Sequence, residues 1–429
     1  MLRVFVEGMC ALVIRGGHLL LPSMRLVRGD VLVEDGIIAC VGAHCRGKDV
    51  VDANGCIVMP GFVNTHTHTP MTLFRGRCEG LGFAEWLECI WRAESEITPS
   101  DVYLGSLLAC VEMIRSGITT FADVYIHMDK VAQAVEESGL RGVLGWGVVE
   151  GAGGETLKAK LSERRIFVKK YNHACGGRIS TMYAPHSLIT CSKDAISALA
   201  RFSREDGVPI TIHLLESLKE AMMLEKSGHH LSTLDDAGLL SDRLLAAHCV
   251  HASDEDAKVL AERGVSVSLN PISNLQLGLG IPPIQTMASH GINLCLGTDG
   301  AASGGSLDIF EVMKTVAFIG KMAGRASPSE ILRMASVNGA LALGLETGEI
   351  KTGLAADIIL VDMKKPHLIG CDPLSALVHS AKSCDVKTTI VGGEVLMEDC
   401  VIKNINEEDI LHRAGEKIAD LESQSTSRR

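Results

Sequence analysis

Between residues 57 and 299, apolar β-type runs alternate with helix-like stretches, and this alternation restricts the chain more than any other feature. Eight runs recur, each ending in polar or small residues: Ile57 to His68, Thr119 to Val124, Val143 to Val149, Ile179 to His186, Ile210 to Glu216, Leu244 to His251, Val265 to Asn270 and Asn293 to Asp299. Stretches such as Pro99 to Arg115, Met128 to Ser138, Lys193 to Arg204, Asp254 to Arg263 and Pro328 to Leu343 separate most of them. Alternating β and α units imply a parallel sheet, and eight of them imply an α/β chain closed into a (β/α)8 TIM-type barrel. An open doubly wound sheet is the competing architecture, but no G-x-G-x-x-G turn follows a first strand.

Both chain ends have a different texture. Residues 1–57 read as short strands broken by turns such as Asp35-Gly36 and Asn54-Gly55, and residues 350–404 repeat the pattern with Asp357 to Val361, Thr388 to Val391 and the turn Gly392-Gly393. The expected organisation is a small β-sandwich domain built from 1–57 and 350–404 around a barrel spanning 58–349. Residues 405–429 should then form a packing or oligomer-contacting helix over Asp409 to Leu421, followed by a disordered end.

With 41 basic against 52 acidic residues the net charge is −11, and no long basic run could track a phosphate backbone, so nucleic acid is not an expected partner. Fourteen cysteines lie scattered without a C-x-x-C pair, many inside apolar runs (Cys40, Cys56, Cys110, Cys249, Cys295), which suits a reduced, cytoplasmic protein. Arg3, Glu7 and Arg15 interrupt the apolar N-terminus, and no continuously apolar span of about 18 residues occurs. A soluble protein with no membrane partner is expected.

Barrel enzymes place their chemistry on the loops that follow the strands, so the strand ends are where reactive groups should be sought. Five ends carry them: His66 and His68 after the first, His186 after the fourth, His213 with Glu216 after the fifth, His248 with His251 after the sixth, and Asp299 after the eighth. Each has an ordinary reading alone. His248 could be a hydrogen-bonded core histidine, Asp299 a turn former before Gly300, and Glu216 the first-turn acid of a helix. Their coincidence at the same end of successive strands favours a shared site. Three neutral imidazoles and one carboxylate suit Zn2+, while Fe2+ or another divalent ion accepts the same ligand types. Such a site implies hydrolytic attack by an activated water.

The run Pro60-Gly-Phe-Val-Asn-Thr-His-Thr-His68 resembles the first-strand signature of the amidohydrolase superfamily, and His213-Leu-Leu-Glu216, Ala246-Ala-His-Cys-Val250 and Gly297-Thr-Asp-Gly-Ala301 resemble its aminohydrolase branch. The similarity extends to Gly353-Leu-Ala-Ala-Asp-Ile-Ile-Leu-Val361, and is greatest with the group that deaminates 5'-methylthioadenosine and S-adenosylhomocysteine, including its archaeal members acting on 5'-deoxyadenosine. The resemblance implies one zinc ion per subunit held by His66, His68, His213 and Asp299. Asp299 would also accept a proton from water, His248 would orient that water, and Glu216 would protonate the purine ring. No lysine occurs between Ile179 and His186, whereas relatives with two metals carry a carboxylated lysine on that strand.

The long segment Thr69 to Glu96 holds Phe74, Phe83, Trp86 and Trp91, suited either to an apolar wall over a nucleoside or to ordinary loop packing. By resemblance Glu94 would take the ribose hydroxyls and His186 would contact sugar or base. Deaminases of this group that grip the amino-acid end of S-adenosylhomocysteine carry arginines after the third strand, where this chain reads Gly145-Trp146-Gly147 and Gly153-Gly154-Glu155. That departure favours an uncharged 5' substituent. The implied substrates are 5'-deoxyadenosine, then 5'-methylthioadenosine, adenosine and S-adenosylhomocysteine. Deamination or dechlorination of guanine, cytosine or an s-triazine is the alternative chemistry, and a barrel scaffold without activity is the non-enzymatic one. The resemblance also implies a homo-oligomer such as a tetramer.

Overall fold

A computed structural model describes residues 11–426 apart from 43–44, 152–153, 155, 227–230 and 323–326. The first ten residues of the expected β domain and the last three of the tail therefore lie outside it. Five strands open the described chain: β1 (Ala11–Leu20), β2 (Leu26–Glu34), β3 (Ile37–Gly42), β4 (Asp49–Asp52) and β5 (Cys56–Pro60). Eight strands follow as the barrel: β6 (Phe62–Thr67), β7 (Ile118–Tyr125), β8 (Arg141–Val148), β9 (Ile179–Pro185), β10 (Ile210–Leu214), β11 (Leu244–His248), β12 (Ser266–Leu269) and β13 (Asn293–Leu296). The chain returns through β14 (Ile358–Asp362), β15 (Val386–Val391), β16 (Glu394–Glu398) and β17 (Val401–Ile402).

The two chain ends meet where β5 pairs antiparallel with β14, Val58 opposite Leu360. Hydrogen bonding makes the small domain one continuous mixed sheet, forked at β1, whose first half pairs with β4 and second half with β5. Its core gathers Ile14, Val31, Ile38, Val58, Ile358 and Ile390 from both chain ends.

In the barrel, alternation along the strands sorts side chains into two layers. Val63, Ala122, Val124, Val143, Met182, Ala184, Leu245 and Cys295 fill the interior, while neighbours such as Phe62, Phe121, Leu144, Tyr183, Ile212 and Val267 pack outward. The ladder runs in order from β6 to β13. The remaining seam is bridged individually: the Asp299 amide donates to His66 O (2.9 Å), Thr65 Oγ1 to Leu296 O (2.8 Å), the Thr298 amide to Asn64 Oδ1 (3.0 Å) and Asn64 Nδ2 to Thr298 Oγ1 (2.7 Å).

Three expectations need correction. The run Ile57 to His68 is not one barrel strand; it breaks at Gly61, so the small sheet keeps the chain as far as Pro60. A Cβ at Gly61 would lie 2.1 Å from Thr119 Cγ2, and glycine alone permits the crossing between domains at this separation. The terminal helix runs over Glu407–Thr426, longer at both ends than expected, so Glu422 to Thr426 are helical rather than disordered. Ile410, Ala414 and Leu421 bury its inner face, and Lys417 Nζ lies 3.0 Å from Asp101 Oδ2. Nor are all cysteines reduced: Cys78 and Cys89 form a disulfide that ties the segment before helix Phe83–Glu94 to the middle of that helix. Cys45, Cys56, Cys110, Cys249 and Cys295 are free and buried. Among the described residues, no single helix is long and apolar enough to cross a membrane.

Candidate active site

Residues just beyond three strand ends turn the chain sharply by adopting left-handed backbone. Leu215 (φ 50°) follows β10, His248 (φ 76°) ends β11, and Asp299 (φ 60°) follows β13. Non-glycine residues adopt this region at a cost of order 1–3 kcal/mol each, and such strain collects where side chains must be aimed. These bends stop the strands short of the apolar runs read from sequence and direct polar groups over the barrel mouth.

His66, His68, His213 and Asp299 converge there. His68 Nδ1–H donates to Val124 O (2.6 Å) and His213 Nδ1–H to His186 O (2.7 Å), so both rings turn an Nε2 lone pair inward. The two Nε2 atoms are 3.4 Å apart, and Asp299 Oδ1 lies 3.3 Å from His68 Nε2 and 3.6 Å from His66 Nε2. His66 Nε2 is buried with no hydrogen-bond partner. Donor atoms of His66, His68 and His213 all lie within 4.8 Å of one another, as do those of His66, His248 and Asp299. Lone pairs crowded around a carboxylate oxygen repel one another unless something positive sits among them, so the donor set fits a divalent cation.

Electrostatics agree with that fit. Burial holds His213 well below the usual histidine value, His186 down at about 4 and His248 at about 3, so these rings stay neutral. At His68 burial also pulls downward but is outweighed by Asp299, which pushes the ring up to about 9, so Nε2 there takes up a proton wherever no cation takes its lone pair. Burial would raise Asp299, yet the facing imidazoles of His66 and His68 hold it well below the usual carboxylate range. This point in the barrel therefore attracts positive charge.

Glu216 is the opposite case. Burial first, then the carboxylates of Asp299 and Glu220, raise it well above the ordinary carboxyl value, which favours its protonated form. Its Oε1 lies 3.7 Å from His248 Nε2. Glu220 is itself pushed up to about 7 by burial, and its Oε2 accepts the Glu216 amide N–H at 3.2 Å.

Above these groups opens a cavity of about 1070 Å3, close to the upper end of the ~300–1,000 Å3 usual for small-molecule sites. His68, His186, His213, Glu216 and Asp299 line its floor, and Trp86, Trp91 and Glu94 of helix Phe83–Glu94 form one wall. Burial raises Glu94, which faces the Tyr125 hydroxyl. His251 joins neither the cluster nor the wall; its backbone N–H goes to Leu215 O. The absence of a cationic partner inferred from the loop after the third strand does not hold for the cavity. Gly153 and Glu155 lie outside the described residues, and Lys160 and Arg164, from the following helix Leu157–Tyr171, line the wall together with Glu150. Lys160 Nζ donates to Val149 O (2.6 Å), and Arg164 stacks on Trp146 at 4.6 Å.

Some site residues were missed in the sequence. Ser273 Oγ and Ser303 Oγ donate to Asp299 Oδ2 at 2.6 and 3.0 Å, and Asn274 Nδ2 is 2.9 Å from His248 Nδ1. Asp123 accepts from the Thr69 amide (3.0 Å) and hydroxyl (2.5 Å), fixing the turn after His68. The polar run Asn270-Pro-Ile-Ser-Asn274 follows the seventh apolar run directly and could have been read by the strand-end rule.

A parallel barrel with acid, base and imidazole groups gathered under a cavity at the C-terminal ends of its strands belongs to the barrel hydrolases. More narrowly, the chain belongs to the amidohydrolase family, whose family model matches residues 57–396. It is similar to a 5'-deoxyadenosine deaminase of Methanosarcina mazei, 48% identical over 404 residues that cover 92% of this chain and 94% of that one. It also resembles a 5-methylthioadenosine/S-adenosylhomocysteine deaminase of Pyrococcus furiosus, 39% identical across 94% of this chain and 99% of the relative. Among solved structures, an adenosine deaminase from Xanthomonas campestris with bound zinc superposes with a TM-score of 0.91 at 28% identity, covering 96% of this chain and 99% of that one.

Proposed function

We propose that the protein deaminates adenosine derivatives hydrolytically, 5'-deoxyadenosine first and 5'-methylthioadenosine, adenosine and S-adenosylhomocysteine besides. The observation that carries this reading is a buried carboxyl group, Glu216, whose protonated form burial favours, beside an inward-facing imidazole and carboxylate cluster on a cavity floor. Likeness to the deaminases of Methanosarcina mazei and Pyrococcus furiosus supports the same substrate class.

His66, His68, His213 and Asp299 would hold one divalent ion, Zn2+ by donor chemistry, with Fe2+ accepting the same donors. When bound, that ion supplies Lewis acidity that makes water a better nucleophile at neutral pH. Asp299 then removes a proton from the attacking water, and His248 hydrogen-bonds the incoming oxygen. Glu216 gives its proton to a purine ring nitrogen, so C6 accepts the oxygen without a bare negative charge accumulating on the ring. The C6–N bond breaks, the amino group leaves as ammonia after taking up a proton, and adenine becomes hypoxanthine with one water consumed. Glu94 binds the ribose hydroxyls, His186 contacts sugar or base, and the two tryptophans cover the apolar faces. Lys160, Arg164 and Glu150 give the wall charges of both signs. Turnover takes place in the cytoplasm on this reading, in a homo-oligomer.

Ultraviolet spectra of the purified, ion-loaded protein with each nucleoside test the proposal. The adenine-to-hypoxanthine change should appear with 5'-deoxyadenosine. Inertness toward all four nucleosides, or turnover of a free base or triazine instead, would overturn it.

A further inference from the structure

His68, His213 and His248 are held by the same contact with opposite polarity. For the first two, Nδ1 meets a backbone carbonyl, Val124 O and His186 O, which can only accept, so the ring proton sits on Nδ1 and Nε2 carries a lone pair. For His248, Nδ1 meets the amide nitrogen of Asn274 at 2.9 Å, a group that can only donate. A neutral imidazole has one proton, and with Nδ1 accepting, it must sit on Nε2. The surroundings of Nε2 agree. This atom is buried without a hydrogen-bond partner, and the Glu216 carboxyl, which can accept even when protonated, faces it with Oε1 at 3.7 Å.

The distinction matters because His248 sits among the ligand candidates. Its ring centroid is 5.3 Å from that of His66 and 5.4 Å from that of His213, and its donor atom groups with those of His66 and Asp299 as closely as the His66, His68 and His213 set groups together. An Nε2 lone pair there would make a fourth imidazole ligand and occupy a position that the attacking water needs. An Nε2–H cannot ligate at all.

We propose that Asn274 fixes His248 in the Nε2–H form, which bars this ring from ligating the ion and makes it a hydrogen-bond donor to the attacking oxygen. Asn274 is a positioning residue, acting through His248. It is fully buried on the short helix Pro271–Gln276, next to Ser273 of the same helix, which donates to Asp299 Oδ2. One turn of helix thus sets two proton-handling groups. The Asn274 Oδ1 atom is buried and unpaired, a cost of about 1–3 kcal/mol that the contact with His248 must outweigh.

The kinetic part of this inference rests on the deaminase reading, but the ring assignment does not. 15N NMR of the full-length protein labelled at histidine, with the His248 signals identified by their loss in His248→Gln, should show a protonated Nε2 and a bare Nδ1 without any substrate. A bare Nε2 would overturn the proposal. Asn274→Asp keeps the shape and replaces the donor by an acceptor, drawing the proton to Nδ1. In the Co2+-loaded protein the visible ligand-field bands should then shift as a further nitrogen enters, while kcat for 5'-deoxyadenosine falls about a hundredfold and KM changes little. Unchanged bands with retained or raised kcat in folded Asn274→Asp would equally overturn it. Should that variant not fold, the wild-type 15N measurement decides alone. A wild-type protein inert toward every nucleoside would remove the deaminase reading and leave the tautomer to be judged by its own signal.

Discussion

At the scale of single residues the site works by giving chemically similar groups different charges. Asp299 and Glu216 are both buried carboxyls, yet two imidazoles shift one toward its ionised form while burial and neighbouring negative charge shift the other toward its protonated form. That split assigns base and acid without any difference in side-chain type except one methylene. A pH dependence follows, with a definite sign. On the proposed reading the reactive form of Glu216 is the protonated one, and its folded value is raised, so activity should persist below that value and fall as pH rises through it. Glu216→Gln should lower kcat by roughly 10^2–10^4-fold, and the alkaline decline assigned to this group should disappear from the residual rate. Kinetics of nucleoside turnover across pH would check both. An alkaline limb that survives unchanged in Glu216→Gln would move the acid role elsewhere. These charge states were invisible in the sequence. His66, His68, His213, Glu216, His248 and Asp299 could be placed at strand ends because period and position carry that information, but protonation depends on burial and neighbours distant in the chain.

At the scale of elements, the eight apolar runs survive as eight barrel strands because strands buried on both faces read as near-continuous apolar sequence. Their ends were less legible. The runs Ile210 to Glu216 and Leu244 to His251 overshoot by two or three residues, since hydropathy does not register the left-handed turns at Leu215 and His248. The run Ile57 to His68 concealed two strands for a similar reason: Gly61 is one residue in an unbroken apolar stretch, and its role depends on the approach of Thr119. The position makes a prediction about the junction. Gly61→Ala should destabilise the fold by about 1–3 kcal/mol through overpacking, measured by denaturant unfolding, whereas glycine-to-alanine at Gly82, where a Cβ meets nothing within 4 Å, should be nearly neutral. Equal effects at the two positions would mean that the crossing is looser than described. The disulfide between Cys78 and Cys89 was not legible either, because a separation of 11 in sequence carries no pairing signal of its own.

At the scale of the whole molecule, residues far apart in sequence make one floor, and a cation shared among them should contribute to stability as well as chemistry. Removing divalent ions with a chelator should abolish turnover and lower the melting temperature by a few degrees, with both recovered on adding Zn2+; differential scanning fluorimetry and the ultraviolet assay check the two effects. Loss of activity without any thermal change would point to an ion bound only loosely at the rim. The seam between β6 and β13 has a further consequence. Its closing backbone bond joins Asp299 to His66, the first and last members of the cluster along the chain. A growing polypeptide therefore lacks the complete set of these groups until its final stave arrives. Catalytic competence and completion of the cylinder become a single event, and a truncated or half-assembled chain is silent rather than partially active.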